Sequence, residues 1–205
     1  MSSDPARRLA TYDDVLAAGD ERVEVMGGQL ETLPSARPRH GRVARAIAGA
    51  IGGPFDDDDG RGGPGSWWIL TEVDVRLSPH DIVRPDVAGW RKERLTDLDT
   101  LPIDVRPDWV CEVLSPGTRL RDARDKSAAD PADSVVKRRL FASAGISHYW
   151  LLDPDDRTLL ALVLESDRWT EQGLYAEGDL ARIAPFEALE LDVGRLFPST
   201  PSRAE

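Results

Sequence analysis

The feature that most constrains this chain is a run of six residues, 109–114 (WVCEVL), in which every side chain except Glu112 is apolar. A strand with one face in water alternates apolar and polar residues, so this composition predicts a strand covered on both faces. Such a strand requires a layered fold with other elements packed on either side of a sheet. A carboxylate inside it is costly unless its charge is compensated, which makes Glu112 the first candidate for a functional side chain.

The segments around this strand predict a mixed α/β domain. Capping residues and helical periodicity favour helices over residues 11–18, 39–51 and 134–144. Gly27 and Gly28 indicate a hairpin between two short strands. The predicted strands cover residues 23–26, 29–33, 68–77, 82–90, 109–114, 149–152, 159–164 and 169–175. We expect a mixed β-sheet flanked by helices, in one domain over residues 10–197, with flexible tails at 1–9 and 198–205.

Composition and charge exclude several classes of protein. With 26 basic and 37 acidic residues among 205, the net charge of −11 argues against a protein that coats nucleic acid, although it permits a local DNA site. One cysteine, Cys111, excludes an internal disulfide and a cysteine-rich zinc site. The N-terminus lacks the apolar segment of a secretory signal, and no apolar run approaches the length of a membrane span. We therefore expect a cytoplasmic protein with no membrane partner.

A second acid, Asp86, lies in the predicted strand 82–90. Two carboxylates on neighbouring strands repel each other unless a cation lies between them, and a hard ion such as Mg²⁺ takes oxygen ligands. Asp86 and Glu112 therefore form a candidate metal site. The structural alternative carries about equal weight, since Asp86 can cap the turn after Pro85 and Glu112 can pair with an arginine such as Arg84.

Only three lysines occur in the chain, and two of them, Lys126 and Lys137, follow Glu112. Lys137 and Phe141 are four residues apart on the predicted helix, so this lysine can lean toward the sheet. An amine beside a metal can orient water and stabilise charge on a phosphorus centre. For either lysine alone, a solvated position on a charged face is the more common case.

Other polar residues are weaker candidates. His40 begins a predicted helix and could contact a phosphate there, while Glu24, Glu72 and Asp74 could add metal ligands or simply line the polar side of strands. Ser115 lacks the surroundings of a hydrolase nucleophile elbow. No nucleotide-binding glycine motif is present.

Several segments together resemble the Uma family of putative restriction endonucleases, in order and over roughly residues 10–197. They are VEVMGGQL (23–30), PRH (38–40), RPDV (84–87), WVCEVLSPGT (109–118), AGISHYWLLDP (144–154) and APFEALEL (184–191). That family is similar to the PD-(D/E)XK nuclease superfamily. The resemblance implies a restriction-endonuclease-like fold, Mg²⁺ (with Mn²⁺ as an alternative) bound by Asp86 and Glu112, and a lysine that assists the water.

The lysine departs from the superfamily pattern, because Leu114 occupies the position two residues after the acid. Counting forward from Ser115 places Lys126 in the family's lysine position, whereas counting back from Phe141 places Lys137 there. Residues 127–136 have the character of an insertion between the two counts. We favour Lys137 because it lies on the predicted helix, and we keep Lys126 as the second candidate.

The leading hypothesis is a Mg²⁺-dependent endonuclease that hydrolyses DNA phosphodiester bonds. The backbone carbonyl of Val113 could add a metal ligand, and Glu24 could bind a second ion or order the site. A local basic rim could offset the acidic net charge at the DNA; its candidate members are Arg39, Arg42, Arg45, Arg138 and Arg139. The rival hypothesis is a catalytically inactive module that binds DNA or mediates dimerisation, and a hydrolase using Ser115 is a third. Double-strand cleavage would favour a homodimer.

Overall fold

A computed structural model describes residues 8–33, 35–56, 65–115 and 132–199 of the chain. The helices are α1 (Tyr12–Ala17), α2 (Pro38–Phe55) and α3 (Ala132–Ser143), with a short 3₁₀ helix at Val193–Leu196. The strands are β1 (Val23–Met26), β2 (Gln29–Thr32), β3 (Trp67–Leu70), β4 (Val75–Ser78), β5 (Asp81–Val83), β6 (Val87–Arg91), β7 (Trp109–Val113), β8 (His148–Asp153), β9 (Thr158–Glu165), β10 (Arg168–Ala176), β11 (Leu180–Ala181) and β12 (Leu191–Asp192). Within these ranges, none of the helices has the length and apolar character needed to cross a bilayer.

The strands form two main sheets and a small two-stranded one. The larger sheet has six strands in the order β10-β9-β8-β7-β6-β3, and the smaller has four in the order β2-β1-β5-β4. Neighbours in the six-stranded sheet are antiparallel except β7 and β8, which are parallel and are connected through α3. The predicted mixed sheet flanked by helices, with an N-terminal helix and hairpin, is confirmed.

Strand β7 is buried on both faces, as its composition predicts. Trp109, Cys111 and Val113 pack in one cluster with the buried stripe of α2. Val110 packs in a second cluster with Phe141 of α3, on the other face. The two helices thus cover opposite faces of β7, the strand that carries Glu112. This layering places both helices beside the polar residues at the end of β7.

Two predicted long strands are each divided in the structure. The predicted strand 68–77 becomes β3 and β4, which belong to different sheets, and Glu72 between them has a left-handed φ of 52°. The predicted strand 82–90 becomes β5 and β6, with Pro85 and Asp86 between them. Proline cannot donate to a ladder, which explains the second break. The prediction that Asp86 lies inside a strand is therefore wrong: it immediately precedes one.

Local turn chemistry sets the other boundaries. Gly27 and Gly28 have φ values of 58° and 75° in the turn between β1 and β2, which matches the predicted hairpin. Gly145, at φ 70°, follows α3 as the predicted helix stop. The prediction of a single domain over residues 10–197 stays a prediction, and most of the predicted tails, at 1–7 and 200–205, lie outside the described residues.

Candidate functional site

Asp86 directly precedes β6, and Glu112 lies in the neighbouring strand β7 of the six-stranded sheet. The antiparallel register of β6 and β7 pairs Val87 with Cys111. Continuing that register by one residue places Asp86 across from Glu112. Both acids are buried, with exposed fractions of 6% and 9%. The sheet therefore brings together the two carboxylates that the sequence singles out.

The Asp86 carboxylate is held by two donors from different elements. His40 Nε2, in the first turn of α2, lies 2.9 Å from Oδ1, and the backbone N–H of Val113 donates to Oδ2 at 2.8 Å. Burial would raise the pKa of Asp86, but the hydrogen bond and charge of His40 and the Val113 amide outweigh burial and hold that pKa below its ordinary value. Asp86 is therefore ionised at neutral pH.

Lys137 connects Glu112 to a third buried acid. Its Nζ donates to Glu112 Oε1 at 3.0 Å and lies 2.9 Å from Glu24 Oε1 on β1. Glu24 is 1% exposed and Lys137 is 8% exposed. Burial alone would lower the pKa of Lys137, but the charges of Glu112 and Glu24 outweigh it and raise the pKa above its ordinary value. The lysine is a buried ammonium shared by the carboxyl groups of Glu24 and Glu112.

Glu112 lies in surroundings that oppose its ionisation, chiefly because it is buried. Burial above all raises the pKa of Glu112 to about 8, and the charges of Asp86 and Glu24 add to burial so that together they outweigh Lys137. Among the described residues, the ammonium of Lys137 lies between Glu24 and Glu112, and Asp86 adds a further negative charge nearby. A group whose pKa is raised in this way gains from any additional cation brought close to it.

A second polar network holds Glu24 in place. The backbone N–H of Arg84 donates to Glu24 Oε1 at 2.7 Å, and the Arg84 side chain pairs with buried Asp74 at 2.7 Å. Tyr12 of α1 donates to the same aspartate at 3.3 Å. The other oxygen of Glu24, Oε2, is buried and has no hydrogen-bond partner among the described residues. That oxygen is an acceptor available for a further donor or cation.

A cleft of about 380 Å³ opens beside the site. It is bounded by the start of α2 and by the residues that follow β7 and β8. Its lining residues are Arg37, Pro38, Arg39, His40, Leu114, Ser115, Pro154 and Asp155. Since His40 both lines the cleft and contacts Asp86, the cleft gives a ligand a route to the neighbourhood of the acids.

The donor set fits a hard divalent ion, although the side chains are not arranged as a complete cage. Among the residues that the structure describes, no group of three or more His, Cys, Asp or Glu side chains is placed to hold a metal ion. Instead, Lys137 engages both Glu24 and Glu112. Mg²⁺ commonly binds through one or two carboxylates and completes its shell with water and substrate phosphate, which the pair Asp86 and Glu112 can support.

The structure separates the sequence candidates into three groups. Glu24, Asp86, Glu112 and Lys137 come together, and Val113 adjoins them through its amide. Glu72 and Asp74 do not join them, because Glu72 pairs with Arg22 and Asp74 with Arg84. Lys126 lies outside the described residues. Glu112 takes Lys137 as its partner rather than Arg84, and the functional roles of all these residues stay predictions.

One contact that sequence reasoning missed is that between His40 and Asp86. The two residues are 46 positions apart, and no spacing rule relates a helix start to a distant turn. A usable signal was nevertheless present. His40 is three residues before Val43, at the start of the apolar stripe of α2, which directs its ring toward the sheet.

The mixed sheet with helices on both faces has the restriction-endonuclease-like fold. The model of the Uma2 family, described as putative restriction endonucleases, matches residues 9–194, and the chain belongs to this family. A crystal structure of a putative nuclease of DUF820 from Anabaena variabilis ATCC 29413 is similar in fold, with a TM-score of 0.69 and 16% identity over 91% of this chain and 97% of that one. No curated protein matches the chain.

Proposed function

We propose that this protein is a Mg²⁺-dependent endonuclease that hydrolyses DNA phosphodiester bonds. The observation that carries the proposal is the buried arrangement of Asp86 opposite Glu112, with the ammonium of Lys137 bonded to Glu112 at 3.0 Å. Membership of a family described as putative restriction endonucleases supports the reaction class. The cleft beside His40 supports access of a ligand from solvent.

Asp86 and Glu112 are the proposed ligands of the metal, with the carbonyl oxygen of Val113 as a further one. Within the described parts of the chain, the buried Oε2 of Glu24 has no hydrogen-bond partner, which supports a role for Glu24 in binding a second ion or in ordering the first site. When bound, the ion supplies Lewis-acid stabilisation of the phosphate and lowers the pKa of water. Mn²⁺ has the same preference for oxygen ligands and is the natural substitute.

Lys137 is proposed to position the attacking water and to offset charge that develops on the phosphate. Its buried ammonium is held by two carboxylates from different elements, so its place is fixed before any substrate arrives. A preorganised charge of this kind costs no reorganisation during the reaction.

The partner proposed for the cleft is DNA, despite the net charge of −11. Arg42 and Arg45 are exposed on α2, and Arg139 is exposed on α3, the two helices that contribute His40 and Lys137. Arg39, at the cleft, pairs with Asp155 at 2.9 Å and is still more than half exposed. These residues support a local basic rim in an otherwise acidic protein. A homodimer would allow both strands of a duplex to be cut.

The test is cleavage of plasmid and linear DNA by the purified full chain with Mg²⁺ or Mn²⁺, beside Asp86→Asn and Glu112→Gln. We expect each variant to lose at least about 100-fold in rate, because a lost metal ligand removes several kcal/mol of transition-state stabilisation. Asp104→Asn is the matched control, since this exposed aspartate pairs with Arg76 outside the site.

Cleavage that survives both substitutions would refute the metal assignment. If the wild-type protein cuts no form of DNA and binds no Mn²⁺, the alternative of an inactive nuclease-fold module that binds DNA or a protein partner replaces the endonuclease. Activity that persists after chelation would point instead to a metal-independent hydrolase.

A further inference from the structure

His40 is placed by the core rather than by its own polar contact. Helix α2 buries Val43, Ile47, Ile51 and Phe55 against the six-stranded sheet. His40 precedes Val43 by three residues and therefore continues the same stripe toward the helix start. Because the apolar stripe already docks the helix, the contact between His40 and Asp86 is not needed to hold α2 on the sheet.

Asp86, in contrast, depends on its two donors for its orientation. It lies in the short connection after Pro85, outside the ladder of β6. His40 Nε2 binds one carboxylate oxygen at 2.9 Å and the Val113 amide binds the other at 2.8 Å. A carboxylate with one donor can rotate about its terminal bond, whereas donors on opposite oxygens fix its plane. An ionised carboxylate only accepts hydrogen bonds, so Nε2 is the donor.

Both oxygens of Asp86 retain capacity for a cation. A carboxylate offers about four lone-pair directions, and the two donors use one on each oxygen. The ring of His40 is 13% exposed and lines the cleft, while the carboxylate behind it is 8% exposed. The histidine therefore stands between the cleft and the acid and determines which oxygen directions face the approaching ligand.

We propose that His40 is a positioning residue for divalent-metal binding: it fixes the plane of the Asp86 carboxylate from the α2 side, as the Val113 amide does from β7. The proposal deepens the proposed function and rests on it, since it requires Asp86 to be a metal ligand. Partners that hydrogen-bond a metal ligand and orient it generally affect metal affinity by about 10–100-fold.

The experiment is calorimetric titration of the purified full chain with Mn²⁺, for the wild type, His40→Ala, His40→Gln and His40→Asn. The side chain of glutamine is long enough to place its amide nitrogen at the position of Nε2, whereas the side chain of asparagine is too short. We expect the alanine and asparagine variants to lose about 10–100-fold in affinity and the glutamine variant to recover most of it. A role limited to folding would not discriminate between the two amides.

His148→Gln is the matched control, because this partly buried histidine lies at the other end of the β7–β8 pair, opposite Trp109. It should bind Mn²⁺ as the wild type does. Thermal melting in EDTA identifies any variant that fails to fold, and the comparison of glutamine with asparagine then carries the test.

The two proposals fail in different ways. If the wild type binds no Mn²⁺, the metal-dependent function is wrong and the role of His40 falls with it. If the wild type binds Mn²⁺ and all three His40 variants bind equally well, His40 is not a positioning residue, while the endonuclease proposal stands. Equal loss in the glutamine and asparagine variants also contradicts the proposal.

Discussion

Lys137 is the single residue on which the charge balance of the site depends. It supplies the ammonium shared by Glu24 and Glu112, both of which are nearly inaccessible to solvent. Removing one partner from a buried ion pair leaves a charge without compensation, which is costly even where the intact pair contributes little. The lysine is therefore structural as well as a candidate for the reaction.

Lys137→Met tests this dual role, because methionine keeps most of the length of the side chain and removes its charge. We expect the free energy of unfolding to fall by about 3–5 kcal/mol in EDTA at neutral pH, measured by urea denaturation. Arg139→Met, an exposed change on the same helix, should shift it by no more than about 0.5 kcal/mol. An unchanged stability for Lys137→Met would show that the two acids do not need the ammonium.

His148 gives the protein a pH dependence that is independent of the acids. Burial lowers the pKa of His148 below its ordinary value, so the folded state resists protonation more than the unfolded chain does. Its contribution to stability is therefore complete above about pH 6.5 and is lost as the pH falls through the pKa of the folded state.

The corresponding prediction is that the free energy of unfolding of the wild type declines more steeply than that of His148→Gln between pH 7 and pH 5. Urea denaturation at several pH values measures both slopes. Parallel curves for the two proteins would contradict the assignment.

For individual residues, the sequence predicts which side chains belong to the candidate site better than it predicts which of them contact each other. The i,i+4 relation of Lys137 to Phe141 predicts a lysine that leans toward the sheet, and both side chains are buried. The ion pair between Lys137 and Glu24 could not be predicted, because it joins α3 to β1, a strand of the four-stranded sheet. Such contacts depend on how the sheets pack, which local patterns do not encode.

One stripe of side chains on helix α2 both packs against the sheet and places His40 at the candidate site. The apolar part covers the face of β7 that carries Cys111, and the polar start brings His40 to Asp86. Because the buried stripe sets the position of the helix, a change in the packing of that stripe also displaces the polar residue at the helix start. Core substitutions in α2 should consequently affect the site as well as the stability.

Ile47→Ala is the direct test of this packing, because Ile47 is fully buried in the middle of the stripe. We expect a loss of about 2–5 kcal/mol in the free energy of unfolding, the usual cost of a core cavity of this kind. Arg45→Ala, on the exposed side of the same helix, should stay within about 0.5 kcal/mol of the wild type. Equal losses in the two variants would mean that α2 does not pack as described.

Elements with a clear period or cap were predictable, and elements divided by backbone geometry were not. The stripe of α2 and the glycines of the hairpin give the right element types. The division of 68–77 depends on a left-handed residue, Glu72, whose side chain gives no warning of that conformation. Proline interrupts a ladder, so the sequence does indicate a division at Pro85. The apolar residues on both sides of it nevertheless favour one continuous strand.

For the whole molecule, the central physical question is how a chain with a net charge of −11 would bind DNA, its proposed substrate. Arg42 and Arg45 lie exposed on the helix that borders the cleft. Each arginine that contacts a phosphate releases counterions, so binding by a few such residues shows a salt dependence that reports their number.

We expect the double variant Arg42→Gln/Arg45→Gln, in a Glu112→Gln background that prevents cleavage, to bind duplex DNA more weakly at all sequences. The slope of log Kobs against log salt should fall in magnitude by about 2, close to 0.9 for each lost phosphate contact. Fluorescence anisotropy at several salt concentrations measures this. Arg168→Gln, on the edge strand β10, is the control and should leave the slope unchanged; an unchanged slope in the double variant would place DNA elsewhere.

The most direct test of the account is a crystal structure of the protein soaked in Mn²⁺, with the anomalous signal of the ion used to locate it. The account predicts one peak bound by an oxygen of Asp86 and an oxygen of Glu112, each at about 2.0–2.6 Å. A Mn²⁺ ion bound by other residues, with Asp86 and Glu112 holding only His40, the Val113 amide and Lys137, would contradict it.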